Sequence, residues 1–233
     1  MRVHRSPGGP APFARALLLC LLAMVTPACA GTARAEADAR LRDAASRGSA
    51  GGVRQAIEEG ANLESRDGQG RTALLLATHG NHVDAARVLI EAGADVNARD
   101  ALQDSAYLYA GARGLDDILA LTLAHGADLR STNRYGGTAL IPAAERGHVA
   151  TVRTLLRAGV AVDHVNRLHW TALLEAILLG DGGTRHVQVV QLLLEAGADP
   201  ELADGDGVTP LAHARQRGYA DIETLLRQYG ATR

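Results

Sequence analysis

The sequence predicts an all-α repeat solenoid of about six helix–turn–helix units joined by short β-hairpin links. Three observations carry that expectation. A glycine followed by a small residue, usually Ala, and then usually an Asx recurs at Gly60, Gly93, Gly126, Gly159, Gly197 and Gly230, with spacings of 33, 33, 33, 38 and 33. A hydroxyl followed by Ala or Pro and an aliphatic or aromatic residue recurs at Thr72, Ser105, Thr138, Thr171 and Thr209, in the same register and with the same five-residue insertion. Between the markers, apolar residues fall at helical spacing. A period of this length is the signature of stacked repeats.

Each element follows from local chemistry. The Thr or Ser side chain accepts from the free N–H groups of a helix start, so it reads as an N-cap. TALLLA from Thr72, SAYLYA from Ser105, TALIPA from Thr138 and TALLEA from Thr171 then give a short first helix with one small face. A break follows at Asn81, Gly114, Gly147 and Gly218, residue types that accept a left-handed backbone. A second helix carries Val83-Ala86-Leu89-Ile90, Val149-Val152-Leu155-Leu156 or Val189-Val190-Leu193-Leu194 on one side. The recurrent glycine ends it, and a link leads to the next unit. One such unit is too small to bury its apolar face alone, so neighbours must stack. The stretch 36–66 lacks the hairpin and hydroxyl marker and reads as an N-terminal capping unit; residues 67–233 supply five further units. The insertion near 180–184, Gly180-Asp181-Gly182-Gly183-Thr184, reads as a loop extension between the helices of the fifth.

Residues 1–35 read as an export signal. Arg2, Arg5 and Arg15 precede the apolar run ALLLCLLAMV from Ala16 to Val25, and small residues offer cleavage after Ala30 or after Ala35. The run is too short to span a membrane, which takes roughly 20 residues. A buried helix is the competing reading. Thr26-Pro27-Ala28-Cys29 also resembles a lipobox in part, which would make Cys29 a lipid anchor, but Thr26 stands where that motif has a large aliphatic residue. Cleavage changes the charge. The chain is −2 overall, yet all 26 acidic residues follow position 35 and four of the Arg precede it, leaving −6. Cys20 and Cys29 leave too, so no disulfide framework is expected despite export.

Composition and motifs exclude several function classes. Near-neutral charge and only 3% aromatic residues argue against both a broad phosphate-binding surface and base-stacking platforms, so no nucleic acid is expected as partner. There is no Lys, which removes a phosphate-cradling reading of the glycine-rich insertion. No Gly-x-Ser-x-Gly elbow exists and no cysteine follows Cys29, so no nucleophile is set up and catalysis is not expected. His82, His148 and His186 share one repeat position. Equivalent side chains one unit apart sit at helix-packing distance, 8–10 Å, and cannot share a metal bound at about 2 Å. Asp199, Asp204 and Asp206 with Gly205 and Gly207 do not keep EF-hand spacing and read as a turn. No cofactor and no metal are expected.

These residues carry a family resemblance. TALLLATHGNHVDAARVLIEAGADVNARD from Thr72 resembles an ankyrin repeat, as do TALIPAAERGHVATVRTLLRAGVAVDHVN from Thr138 and TPLAHARQRGYADIETLLRQYGA from Thr209. The resemblance covers residues 37–233. It departs from the family where Leu75, Leu108, Ile141, Leu174 and Ala212 replace the His of the Thr-Pro-Leu-His motif.

The resemblance implies a protein partner bound on the hairpin tips and on the first-helix face of the groove. Carried over residue by residue, the binding positions are Arg71, Leu102, Arg134, Tyr135, Arg167, Leu168 and Trp170 on the hairpins, and Arg113, Arg146 and Arg217 at first-helix ends. Arg47 shares that helix-end position, which gives an interrupted Arg row. Trp170 and Tyr135 fall at hairpin sites expected to be exposed, and Trp, Tyr and Arg are the residue types that dominate interface energies; packing of Trp170 on a neighbouring hairpin is the alternative. Arg concentrated on one face of an acidic domain favours an acidic partner. The expected function is a monomeric, non-catalytic protein–protein interaction module, periplasmic and without a transmembrane span after cleavage, or a lipoprotein of the cell envelope. A metal- or small-molecule-binding stress protein, with a site near His164, His169 and the insertion, is the alternative, as is an inhibitor or immunity-type binder.

Overall fold

The computed structural model describes the backbone of residues 27–232 and the side chains of residues 31–232. The basic leader, the apolar run Ala16–Val25 and Cys20 lie outside the described residues, as does the side chain of Cys29. Among the described residues twelve helices form six consecutive pairs: α1 (Pro27–Ser46) with α2 (Ala50–Glu58), α3 (Ala73–His79) with α4 (Val83–Glu91), α5 (Ala106–Arg113) with α6 (Asp116–Ala124), α7 (Leu140–Glu145) with α8 (Val149–Ala158), α9 (Ala172–Leu178) with α10 (Thr184–Glu195), and α11 (Pro210–Arg217) with α12 (Ala220–Gln228). First helices pack on first helices and second on second, each unit touching the next. Two rows result, with one continuous core from Leu41 to Ala231 between them.

Alanine sets the spacing of the first row. Ala73 and Ala77, Ala106 and Ala110, Ala139 and Ala143, and Ala172 and Ala176 lie four apart on one helix face and are fully or almost fully buried. Small side chains let adjacent helices approach closely; at Gly111 even one added carbon would lie 2.8 Å from the Ala139 methyl. The second row supplies larger groups, with Leu89, Leu119, Leu155, Leu193 and Leu226 at zero exposure. Burying one such side chain contributes roughly 1.5–3 kcal/mol, more than the ~1 kcal/mol of a helix cap, so the leucines hold the stack and the caps set its register.

Most expected punctuation is present. Thr72, Ser105, Thr171 and Thr209 cap their helices by accepting from the amide three residues on, at 3.2–3.3 Å. Asn81, Gly114, Gly147 and Gly218 are left-handed, and so are all six glycines of the recurrent marker, with φ between +83° and +96°.

Thr138 departs from this pattern. In the other units the hydroxyl residue's carbonyl accepts from the amide four on, as Thr72 does from Leu76. Pro142 has no N–H to give. The Thr138 carbonyl therefore takes the Ile141 amide instead, at 3.2 Å, and the Thr138 hydroxyl is left buried without a partner. Helix α7 starts one residue late, at Leu140, and has six residues.

The links differ from the expected β-hairpins. No strand occurs among the described residues, because each link closes with one narrow pair of backbone bonds, such as Asp100 N to Asp104 O at 2.9 Å and Gln103 N to Asp100 O at 3.1 Å. An Asx side chain at 67, 100, 133, 166 and 204 locks each turn by accepting two amides, two and four residues on, at 2.8–3.1 Å. Left-handed Gly70, Gly136 and Gly207 share their turn position with Gln103 and His169, which adopt φ +65° and +60° without being glycine. The insertion is not wholly a loop: α10 begins three residues before the equivalent start of α8.

Helix α1 begins at Pro27 and runs past both candidate cleavage points. Residues 31–36 are exposed, and Ala37 is the first buried side chain among the described residues. No helix among the described residues is long and apolar enough to cross a membrane.

Tyr107 occupies the place of Leu74, Leu140, Leu173 and Leu211 and is fully buried, with no hydrogen-bond partner for its hydroxyl. Burial, helped by Asp128, pushes that hydroxyl's pKa above the ordinary phenol value. A buried, unpaired hydroxyl costs about 1–3 kcal/mol, whereas removing it forfeits only a few contacts. Tyr107→Phe is therefore expected to leave stability unchanged or raise it by about 1 kcal/mol in urea unfolding. A loss above that size would show that the hydroxyl is satisfied.

Candidate functional site

The first-helix face carries a cleft of about 470 Å³ centred on the third, fourth and fifth units. Helix α5 contributes Tyr109 and Arg113, α7 contributes Ile141, Pro142 and Glu145, with Arg146 just beyond its end, and α9 contributes Glu175, with Leu179 beyond its end. The turns add Asp104, Asn133, Arg134, Tyr135, Asn166 and Leu168. Repeat stacking explains the grouping, since Tyr109, Pro142 and Glu175 share one first-helix position and Arg113 and Arg146 another.

Of the ten binding positions read from sequence, the cleft gathers Arg113, Arg134, Tyr135, Arg146 and Leu168. Tyr135 and Leu168 are about half exposed, and the Arg134 guanidinium lies 4.6 Å above the Tyr135 ring. The other five lie elsewhere or are occupied. Arg71 is held by Asp67, at 2.7 Å between Nη2 and Oδ2, and serves its own turn. Arg167 donates from Nη1 to the Arg134 carbonyl at 2.9 Å, tying two turns together. Leu102 and Arg217 are exposed but outside the cleft. Trp170 is the correction: it is half-buried rather than an exposed anchor, as Arg71, Asp104 and Val208 are at the same turn position, and it does not line the cleft. The Arg row is likewise broken. Arg47 pairs with Asp43, and Arg146 donates to the Ala112 carbonyl of the preceding unit.

Sequence reasoning missed Glu175. Its residue is 6% exposed, yet it lines the cleft. Asn166 Nδ2 donates to its Oε1 at 2.8 Å, while Asn166 Oδ1 closes the turn. Burial and the nearby Glu145 push the Glu175 pKa up to about 7; the Asn166 bond and Arg146 pull the other way. The signal was present as the one acid in a first-helix position that otherwise holds Leu76, Tyr109, Pro142 and His213. Asp104 is also raised, by burial and by Asp100, with Arg134 opposing. At one end of the cleft the His79 ring stacks on Tyr109, centroids 4.0 Å apart and planes 11° from parallel. Burial, together with Arg71 and Arg113, lowers the His79 pKa, with Asp100 and Asp67 opposing.

The histidines shared between units serve the stack. His82 Nε2 lies 3.1 Å from the Ser46 carbonyl and His186 Nε2 lies 2.9 Å from that of Glu145; Tyr219, at the same repeat position, donates to Gly180 O at 2.9 Å. His164 contacts the Gly136 carbonyl at 2.7 Å. Among the described residues no three His, Cys, Asp or Glu side chains are placed to hold a metal ion. Asp204, part of the faint calcium-loop pattern, commits its carboxylate to two turn amides and to His213, 2.7 Å away.

The raised pKa of Glu175 makes stability depend on pH in a defined direction. From its ordinary value of 4.5 up to about 7, the folded chain keeps a proton that the unfolded chain has released, so stability falls as pH rises through that window. Glu175→Gln has no such proton, and acids elsewhere affect both proteins alike. The variant is expected to gain on the natural chain by on the order of 2 kcal/mol between about pH 5 and pH 8, measured as the difference between two urea-unfolding series. A constant difference across pH would show that Glu175 ionises normally.

Comparison with known proteins places this arrangement. The family described as Ankyrin repeats (3 copies) matches residues 41–100 and 107–204. The putative ankyrin repeat protein YahD of Escherichia coli (strain K12) is 54% identical over 57 residues, 24% of this chain; the match spans 28% of that relative's length. An ankyrin repeat domain from Acinetobacter baumannii AYE superposes with a TM-score of 0.81 at 60% identity, covering 82% of this chain and 98% of that one. The ankyrin repeat protein EF0377 superposes with a TM-score of 0.80 at 40% identity, covering 83% of this chain and 98% of that one. Such repeats are generally protein-interaction modules without catalysis of their own. The chain belongs to the ankyrin-repeat family.

Proposed function

We propose that this protein is an exported, non-catalytic binding protein of a bacterial cell envelope, which docks a protein partner bearing acidic side chains on its first-helix face. The observation that carries the reading is the cleft itself. It brings Arg113, Arg134 and Arg146 to the surface beside the exposed Tyr135 and Leu168. Apolar anchors flanked by cations form the kind of patch at which a few residues dominate binding. Export is supported by the basic leader and apolar run before residue 26, and by the exposure of residues 31–36, which lie ahead of the first buried side chain among the described residues, Ala37. Bacterial ankyrin-repeat relatives support the source. A lipid anchor at Cys29 is the alternative form of the same protein.

Two outcomes are expected. Crosslinking in intact cells, read by mass spectrometry, captures a partner with the natural chain and at least tenfold less with Arg113→Ala/Arg146→Ala or Tyr135→Ala. Arg217→Ala, outside the cleft, retains capture. Equal capture by all variants overturns the assignment of the face. N-terminal sequencing of the exported form is expected to start at Gly31 or Glu36; an acyl-labelled Cys29 would establish the lipoprotein form, and an intact Met1 in the cytoplasm would overturn export.

A further inference from the structure

The cleft orders its charges by depth. Glu175 is more than nine-tenths buried, and Glu145 and Asp104 are half-buried, whereas Arg113, Arg134 and Arg146 are exposed at the mouth. Carboxyl groups form the floor and guanidinium groups the rim. Only one Glu175 oxygen is engaged: Oε1 accepts from Asn166, and Oε2 takes no hydrogen bond from the described residues. Neighbouring elements leave that oxygen free. On α10, His186 is occupied by Asp181 and the Glu145 carbonyl, and on α11, His213 is held by Asp204. The charged groups acting on Glu175 are Glu145 of α7 and Arg146 just after it. Among the described residues Glu175 and Glu145 form no ion pair, Arg146 acting on Glu175 only from the exposed mouth. At the rim Arg134 reaches Asp104 at 4.0 Å, while Arg113 and Arg146 pair with no carboxylate among the described residues and are open to anions outside.

We infer that the cleft receives one basic side chain, Arg or Lys, from the docked partner, its cation placed at Glu175 and Glu145 and its acidic flanking residues on Arg113, Arg134 and Arg146. The inference rests on the docking face proposed above and specifies what enters it. Tyr109, Ile141 and Leu168 supply apolar wall for the methylene stem of such a side chain, which packs along apolar surface while its charge seeks a polar partner. The volume of about 470 Å³ falls in the range of pockets that enclose a ligand. The acidic flanks explain why the mouth is basic although the floor is not. A cation at Glu175 favours its ionised form, so docking releases a proton and tightens as pH rises through about 7.

Three capped peptides test this on the ¹⁵N-labelled full chain: acetyl-Glu-Arg-Glu-amide, acetyl-Glu-Gln-Glu-amide and acetyl-Gln-Arg-Gln-amide. The first is expected to shift the Asn166 side-chain amide and the Glu145 and Glu175 backbone amides. It is expected to bind at least tenfold more tightly than either of the others, and several-fold more tightly at pH 8 than at pH 6. Glu175→Gln keeps the shape and an acceptor for Asn166; it is expected to abolish the preference for Arg over Gln, and the pH dependence, without weakening Glu-Gln-Glu. Glu175→Leu, which gives the fifth unit the apolar residue type that Leu76 supplies in the second, is expected to abolish them too. If Glu-Gln-Glu equals Glu-Arg-Glu, or if Glu175→Gln keeps the preference, the floor assignment is overturned. Rim binding lost in Arg113→Ala/Arg146→Ala would then leave the docking face standing. Absence of shifts at cleft residues with every peptide also overturns the inference, independently of partner capture in cells.

Discussion

Everything in this molecule depends on how closely the first helices approach one another. The alanine pairs spaced four apart on α3, α5 and α9 and at the start of α7 fix that distance, and Gly111 against Ala139 shows how little room remains. Close packing on one row and larger leucines on the other keep a single register through the stack, because a unit shifted by one residue would bring a larger side chain into the contact. Register then determines the surface. Equivalent residues line up from unit to unit, so a cleft built from units three to five is the same repeat position read three times with different chemistry.

A second layer of order joins the turns to the helices. In three of the five turns the second polar atom of the locking Asx meets a side chain matched to it. Asp67 meets Arg71, Asp204 meets His213, and Asn166 meets Glu175, an acid facing a base in two cases and an amide facing an acid in the third. Between units, side-chain oxygens at Glu64, Asn97, Asp163 and Glu201 accept an amide of the following unit. Arg130 holds the equivalent place and has no acceptor to offer, so this ladder has no rung from the end of the third unit.

Periodic features were legible in the sequence and singular ones were not. The hydroxyl caps, the left-handed break residues and the glycine ends each repeat, and repetition separates a signal from chance. The cleft could be read only in part. Arg113, Arg146, Arg134, Tyr135 and Leu168 followed from position in the unit, but position does not say whether a side chain is already spoken for. Arg71 and Arg167 are engaged by Asp67 and by a neighbouring carbonyl, and only the folded arrangement shows it. Trp170 misled because its place on a hairpin was taken as a guide to exposure, while that turn position is partly buried in other units too, at Arg71, Asp104 and Val208. Glu175 was hidden in an apolar motif, TALLEA, where the pattern of a helix outweighed the oddity of one acid.

The fourth unit connects these points. Pro142 removes the amide that the Thr138 carbonyl would take, the cap is lost, and α7 becomes the shortest of the described helices. The missing rung at Arg130 precedes the same unit. Local rules of stability are therefore broken together at one place in the stack, and the cleft opens beside that place, with Pro142 itself in its wall. A repeat protein distributes stability by nearest neighbours, so a weak unit flanked by well-capped ones can be carried by them. Departures from local consistency tend to concentrate where a surface serves something other than folding. Buried Glu175 on α9 follows the same logic: a carboxyl held half-protonated near neutrality contributes nothing to the core that a leucine would not improve. Its place at the floor of the cleft, one oxygen fixed by Asn166 and the other free, is what a binding surface requires and a core does not.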